Sequence, residues 1–232
     1  MLALITGGSS GLGACIKRRL SADGYGYTQV KDMSLETNFD VTDEADVQHW
    51  ANEISATYGR ADFLINCAGY NYLNWIEEIP DHEWDRVMNV NARGLFFMAK
   101  YFASLLRGGT ICNVVSNASH MPMTHSLAYN ASKGAAAIMT RQMARELWAT
   151  HNITVFGVSP NKLKHTGMTE HVDRRAAELR GMTSIEAREY QLTKLFTGEE
   201  TDPDCVAEFI VWLLAEKHRH KYLAGCILEY GA

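Results

Sequence analysis

No apolar run in this chain approaches the roughly 20 residues that would span a bilayer, so no membrane anchor is expected. The five cysteines, Cys15, Cys67, Cys112, Cys205 and Cys226, are odd in number, scattered, and never spaced C-x-x-C. Neither a disulfide framework nor a zinc site is suggested, no metal is expected, and the five read as small buried apolar residues. A clustered basic face is lacking as well: the net charge is −5 and the pI near 6.0, so no nucleic-acid partner is expected. The one basic run, Lys217 to Lys221, reads as a solvated turn between a helix and a strand. Met1 to Thr6 enter an apolar strand-like run with no basic flank and no longer apolar core, which predicts no secretory signal and a cytoplasmic location by default. No internal repeat, low-complexity tract or Pro/Gly-rich linker divides the 232 residues, which include only four prolines. One domain is expected.

What is present is an ordinary globular balance, 47% hydrophobic and 21% charged. Short apolar runs alternate with longer stretches of helical period, the pattern of repeated βαβ units around a parallel sheet covered on both faces. Strands are predicted near Leu2–Thr6, Tyr25–Lys31, Phe63–Asn66, Thr110–Ser116, Thr154–Ser159 and Cys226–Glu229. Helices are predicted over Leu12–Ala22, Glu44–Thr57, His82–Leu106, Leu127–Thr150 and Asp204–Ala215, with Asp43 as an N-cap and Pro203 in a first turn. The polar segment 161–201 breaks this rhythm and reads as one or two amphipathic helices outside the sheet, where a mobile substrate lid could arise.

The first predicted strand runs into the first helix through Thr6-Gly7-Gly8-Ser9-Ser10-Gly11-Leu12-Gly13. Glycines let the backbone turn tightly and approach a pyrophosphate, and a helix N-terminus supplies free N–H groups and a positive dipole end. A tight turn without an anion uses the same residues, but the position after a strand and before a helix favours a dinucleotide. No Gly-Lys-Ser/Thr follows, which disfavours an ATP-binding loop. The spacing G-x-x-x-G-x-G resembles the short-chain dehydrogenase/reductase family, and that resemblance implies a single Rossmann-like, doubly wound α/β domain binding NAD(P).

Tyr129 and Lys133 stand at i and i+4 in Tyr-Asn-Ala-Ser-Lys, hence on one helix face. A phenol is a poor base near neutral pH, and an adjacent ammonium favours its ionised form. In isolation the pair reads far more readily as a surface Lys beside a core-edge Tyr. Thirteen residues before Tyr129, however, Ser116 closes an apolar strand, and ligands gather at such strand ends. The order Ser, Tyr, Lys is similar to the family's catalytic segment, and Asn91 matches its fourth position, where the resemblance implies a locally opened helix holding a water that reaches the Lys ammonium. Ser116 and Tyr129 would polarise a carbonyl while hydride passes from reduced nicotinamide, Tyr129 giving the proton; oxidation runs in reverse. The cofactor set implied comprises Gly7, Ser9, Ser10, Gly11, Leu12, Gly13, Asp40, Val41, Asn66, Ala68, Gly69, Tyr129, Lys133, Pro160, Leu163 and Thr166. Asn66-Cys67-Ala68-Gly69 is similar to the family's N-N-A-G element with Cys67 in place of the second Asn, and Asp40-Val41 resembles the pair that meets the adenine.

Three departures from the family pattern stand out. The stretch between Gly13 and Asp40 is short, which predicts a lost crossover helix after the second strand. Ser159-Pro160-Asn161 replaces Pro-Gly, with Asn161 expected to tolerate a positive φ, and His165 rather than Thr166 falls in the slot that meets the nicotinamide. The chain ends Glu229-Tyr230-Gly231-Ala232 rather than in Asp-Gly-Gly. Cofactor choice turns on Lys31 and Asp32, a basic residue suiting NADP and an acid suiting NAD; Lys31 has the better register and leans the reading to NADP. The partner expected is a small carbonyl or alcohol, mostly apolar, met by residues such as Tyr70, Tyr72, Trp75, Asn117, His120, Met121 and Met123. A homodimer or homotetramer is expected from the small-residue face Ala131, Gly134, Ala135, Ala136. Two alternatives remain: a silent dinucleotide sensor or scaffold on the same fold, and a nucleotide-sugar epimerase or dehydratase, for whose extra domain the chain has no room.

Overall fold

The computed structural model describes residues 1–21, 40–215 and 221–231. Within them, five parallel strands lie side by side in chain order: β1 (Ala3–Thr6), β2 (Phe63–Asn66), β3 (Thr110–Val114), β4 (Thr154–Pro160) and β5 (Ile227–Tyr230). The strand expected over Tyr25–Lys31, the short link after it, Lys31 and Asp32, and all but Lys221 of the basic run lie outside the described residues. The helices are α1 (Gly11–Ser21), α2 (Glu44–Tyr58), α3 (Asp81–Met88), α4 (Gly94–Phe102), α5 (Leu127–His151), α6 (Gly167–Arg180), α7 (Ser184–Leu192) and α8 (Pro203–Ala215). As the sequence predicts, Asp43 caps α2 by accepting from the Ala45 and Asp46 amides, Pro203 opens α8, and the polar insert folds as two helices, α6 and α7.

Period-2 alternation sorts each strand's side chains into two cores. Ala3, Ile5, Phe63, Ile65, Cys112, Phe156 and Val158 face α1 and α8, while Leu4, Leu64, Ile111 and Val155 face α2, α4 and α5. A one-residue slip of any strand would exchange its two sides, so the register, Leu4 beside Leu64 and Ile65 beside Cys112, is fixed by burial on both faces. A polar seam crosses this apolar interior. Asn66 Nδ2 donates to Asn113 Oδ1 (2.8 Å), Asn113 Nδ2 to Thr140 Oγ1 (3.0 Å), and Thr140 Oγ1 to the Ala136 carbonyl (2.8 Å), tying β2 to β3 and to α5.

Three expectations are corrected. The single helix over His82–Leu106 is three pieces: α3, a widened turn over Asn89–Arg93, and α4, which ends at Phe102. The Gly94 N–H donates five residues back, to the Asn89 carbonyl, and bare Gly94 lies so close to Val41 that an added Cβ would be 2.8 Å from its Cγ2. Asn161 does not take a positive φ; the left-handed residue of that loop is His165 at +53°. All five cysteines are free, but Cys205 is exposed rather than buried and Cys67 and Cys226 are half-buried.

Asn113→Ala should remove the middle of the buried seam and strand the Asn66 amide, costing about 2–3 kcal/mol in urea unfolding. A loss below about 0.5 kcal/mol would show that the seam contributes nothing to holding β2, β3 and α5 together.

Candidate active site

Three strand ends and two helix starts build the site. After β1 the chain turns through Gly7 at φ +69°, where an added Cβ would come within 2.8 Å of the Ala68 backbone, and a Cβ on Gly13 would collide with the Gly7 carbonyl. A side chain at Gly7 would force the first turn away from the turn after β2, and one at Gly13 would push the start of α1 off the first turn. Thr6 Oγ1 locks them together by accepting from the Cys67 and Ala68 amides at 3.1 and 3.2 Å. A cavity of about 760 Å³ opens above, walled by Thr6 to Ser9, Asp40 to Thr42, Ala68 to Tyr70, and Asn89 and Val90. Helix α1 starts beside it with no acid in its first turn, which keeps that end favourable to an anion. Small residues, close backbone and an anion-favouring turn fit a dinucleotide.

Beyond β3, Ser116 is extended, and its Oγ accepts from the Ala118 amide (3.2 Å). Tyr129, in the first turn of α5, is buried with Ser116 in hydrogen-bonding reach. Lys133, one turn on, is buried too; its Nζ donates to the Val114 carbonyl (2.9 Å) and lies 5.8 Å from the Tyr129 ring centroid. Burial pulls the ammonium down to about 8 and pushes the phenol up from its ordinary value, the Ser116 bond drawing it part of the way back. The ammonium therefore loses its proton before the phenol does. The lowering of Tyr129 expected from Lys133 together with an oxidised nicotinamide therefore starts, in the protein without cofactor, from a phenol that burial has pushed up.

Asn91 sits on the widened turn, buried, with its amide fully engaged. Its Oδ1 accepts from the Tyr70 amide (2.9 Å), and its Nδ2 donates to the Tyr70 carbonyl (2.8 Å) and to Ser132 Oγ (2.9 Å). Ser132 in turn donates to the Tyr129 carbonyl (2.8 Å). Asn91 thus fastens the turn after β2 to α5. Gly69 leaves room beside it: the position of an absent Cβ is 3.5 Å from Asn91 Oδ1 and 3.9 Å from Lys133 Nζ.

Helix α6 closes the site from above. Thr166 is its N-cap, accepting from the Thr169 amide (3.1 Å), and its side chain lies 3.8 Å from where a Gly11 Cβ would be. His165 is exposed, so it is Thr166 that faces the glycine turn. Met168 reaches to 3.8 Å from the Gly69 Cβ position, and the Thr169 hydroxyl donates to the Leu163 carbonyl. Pro160 is buried at the end of β4, in register with Tyr230. Leu12 is buried, Ser9 and Ser10 are exposed at the turn, and Asp40 lies on the cavity rim, its Oδ1 taking the Thr42 amide (2.9 Å).

Not every residue singled out in the sequence converges. Asn117 accepts from Ser159 Oγ (2.9 Å), His120 turns to Glu229 (3.3 Å), and Met121 and Met123 face solvent. Tyr72 packs with Tyr70 against Tyr129; the Tyr70 hydroxyl donates to Glu83 (2.9 Å), and Trp75 meets His125 edge-on at 4.3 Å. Sequence reading missed Thr6, Ser132 and His125. Thr6 and Ser132 lie inside recognised motifs and could have been examined there, whereas a lone His carries no signal. Among the described residues no cluster of three or more His, Cys, Asp or Glu is placed to hold a metal, and no helix is long and apolar enough to cross a membrane.

Residues 1–177 match a family model described as short chain dehydrogenase. The chain is 32% identical to an NAD-dependent glycerol dehydrogenase of Listeria innocua serovar 6a, over 68% of this chain and 69% of that protein. It is 28% identical to a sorbitol-6-phosphate 2-dehydrogenase of Klebsiella pneumoniae, covering 96% and 91%. Among solved structures, an NAD+-bound xylitol dehydrogenase superposes with a TM-score of 0.89 at 23% identity, covering 100% of this chain and 98% of that one, a likeness of fold.

Because the folded value of Lys133 lies below its ordinary 10.5, the charged ammonium opposes folding at every pH below about 8, and the opposition fades as pH rises from there to 10.5. Lys133→Met should therefore keep or raise the melting temperature at pH 7 and lose that advantage by pH 10.5, as scanning calorimetry would show. A melting temperature clearly lowered at pH 7 would mean that the ammonium is well solvated in the fold.

Proposed function

The chain belongs to the short-chain dehydrogenase family, an NAD(P)-dependent oxidoreductase of alcohol and carbonyl groups, and on that premise we propose that Ser116, Tyr129, Lys133 and Asn91 carry its hydride transfer. The convergence of Ser116, Tyr129 and Lys133 beside the glycine-lined cavity is the observation that carries this reading. NAD(P) supplies the chemistry that none of these side chains has, accepting or giving the hydride at carbon. In oxidation Tyr129 takes the hydroxyl proton at its phenolic oxygen, and in reduction it returns it, while the Ser116 hydroxyl holds the substrate oxygen. Lys133 Nζ has donors beyond its bond to Val114, and these would hold cofactor hydroxyls, which as acceptors favour its charged form. Asn91 positions the turn at Gly69 and Tyr70, keeping open the lane beside Lys133 through which a water relays the proton. The remaining cofactor set is Gly7, Ser9, Ser10, Gly11, Leu12, Gly13, Asp40, Val41, Asn66, Ala68, Gly69, Pro160, Leu163 and Thr166; Thr166 meets the nicotinamide in preference to His165, on the strength of its burial facing Gly11.

The curated relatives are named for glycerol and sorbitol 6-phosphate, which supports a secondary alcohol or its ketone as substrate. Segment 161–201 is the lid of this single catalytic domain. Its base is braced where Leu163 pairs with Thr201 and where Lys162 bridges Asp173 (2.5 Å) and Glu200 (3.0 Å). The cofactor preference leans to NADP through Lys31, the location is cytoplasmic, and the protein is a homodimer or homotetramer. Exposed Ile138, which shares a face of α5 with Ala131, Gly134 and Ala135 at helical spacing, and exposed Phe96 on α4 support such an assembly, whereas Ala136 is buried within the protomer.

Tyr129→Phe should lower kcat on a secondary alcohol by about 10²–10⁴-fold while leaving the dissociation constants of NADH and NADPH within about threefold. Turnover equal to wild type would remove the phenol from the mechanism.

A further inference from the structure

Beneath α6 the protein buries polar atoms that it does not use. Asn71 Oδ1, both ring nitrogens of His125, His171 Nε2 and Arg180 Nε are shut from solvent without a hydrogen-bond partner. They come from three elements that meet over the site. Met168 lies above Gly69, and Arg175 Nε donates to the Leu73 carbonyl (3.3 Å), so α6 runs along the loop after β2. His171 shares the face of Met168 and Arg175 at helical spacing, which places it over the loop that carries Asn71. His125 belongs to the same neighbourhood: its carbonyl accepts from the Asn74 amide (2.9 Å), and Trp75 stands edge-on to its ring.

His125 is the most costly member of the group. It is only 7% exposed and is held at φ +70°, a left-handed conformation uncommon for non-glycine residues, though His adopts it more readily than most. Burial, and then the charge of Arg180, lower its proton affinity, so the ring is neutral and offers one donor and one acceptor. Four residues later in the chain comes Tyr129, at the same end of α5.

The chemistry of these atoms selects a ligand class. Asn71 Oδ1 and one His125 nitrogen accept, while the other His125 nitrogen and Arg180 Nε donate. A phosphate or carboxylate only accepts and would leave the acceptors unmet, and a hydrocarbon would satisfy none. A hydroxyl both donates and accepts. We propose that the boundary between α6 and residues 70–75, opened when α6 lifts, is the recognition end for a polyhydroxylated substrate, whose hydroxyls beyond the reacting carbon bond to His125 and Asn71. This deepens the reaction proposed above and rests on it, and it replaces the mostly apolar substrate that the aromatics and methionines suggest, since Met121 and Met123 face solvent. With α6 seated these atoms are sealed, so the ligand reaches them as α6 lifts.

The test is calorimetric titration of glycerol, ribitol, xylitol, sorbitol and 2-butanol into cofactor-saturated wild type, His125→Phe and His125→Asn. At least one polyol should bind wild type more tightly than 2-butanol does. It should lose about tenfold or more in His125→Phe and regain much of that in His125→Asn, with 2-butanol unchanged and the ligand-free melting temperature within about 3 °C. The proposal is overturned if no polyol outbinds 2-butanol, or if His125→Phe and His125→Asn both bind polyols as tightly as wild type does. Polyol binding that depends on His125 without any oxidation would instead sink the proposed reaction and leave this recognition site standing.

Discussion

A single buried ammonium sets the terms for the rest of the site. Lys133 has been taken out of water with one protein acceptor, the Val114 carbonyl, and burial alone brings it to about 8. The same burial raises Tyr129, so the two groups are displaced in opposite directions, each toward its uncharged form. Near neutral pH the ammonium keeps most of its charge at a cost set by burial, and hydroxyl acceptors brought in by the cofactor are suited to hold that charge more firmly. On the proposed reading, chemistry and cofactor binding would be coupled through this one nitrogen.

The fold exists around that coupling in a literal sense. Val114 is the last residue of β3, Lys133 lies in the second turn of α5, and the Asn66–Asn113–Thr140 seam fixes β3 and α5 to each other. Asn91 and Ser132 make a second buried tie, at the cost of a widened turn between α3 and α4. Glycine at 69 keeps the lane between Asn91 and Lys133 free of side chain. Two apolar cores hold the sheet, and these few polar bonds decide where its reactive end points.

Much of this was legible in the sequence because its signals are local. A glycine-spaced turn after an apolar run, a Tyr and Lys four apart, and a Ser closing a strand are short-range patterns, and the structure brings each to the same strand ends. Alternating apolar runs likewise placed the described strands to within two residues. What stayed hidden depends on residues distant in sequence. The order in which Lys133 and Tyr129 titrate follows from burial by β3, α5 and the turn after β2, which no motif records. The left-handed residue proved to be His165, not Asn161, because Asn161 is bound to Tyr230 and Gly231 across the sheet. His125 is a lone histidine in a loop, and only the seating of α6 and Trp75 around it reveals that its ring has no partner.

The most direct measurement is an NMR titration of the Lys133 side chain, assigned by comparison with Lys133→Met, in free and cofactor-saturated protein. The midpoint should lie at about 8 in the free protein. Saturation with cofactor should raise it by about one unit or more, a shift of about 1.4 kcal/mol. A midpoint at the ordinary lysine value, unmoved by cofactor, would contradict both expectations.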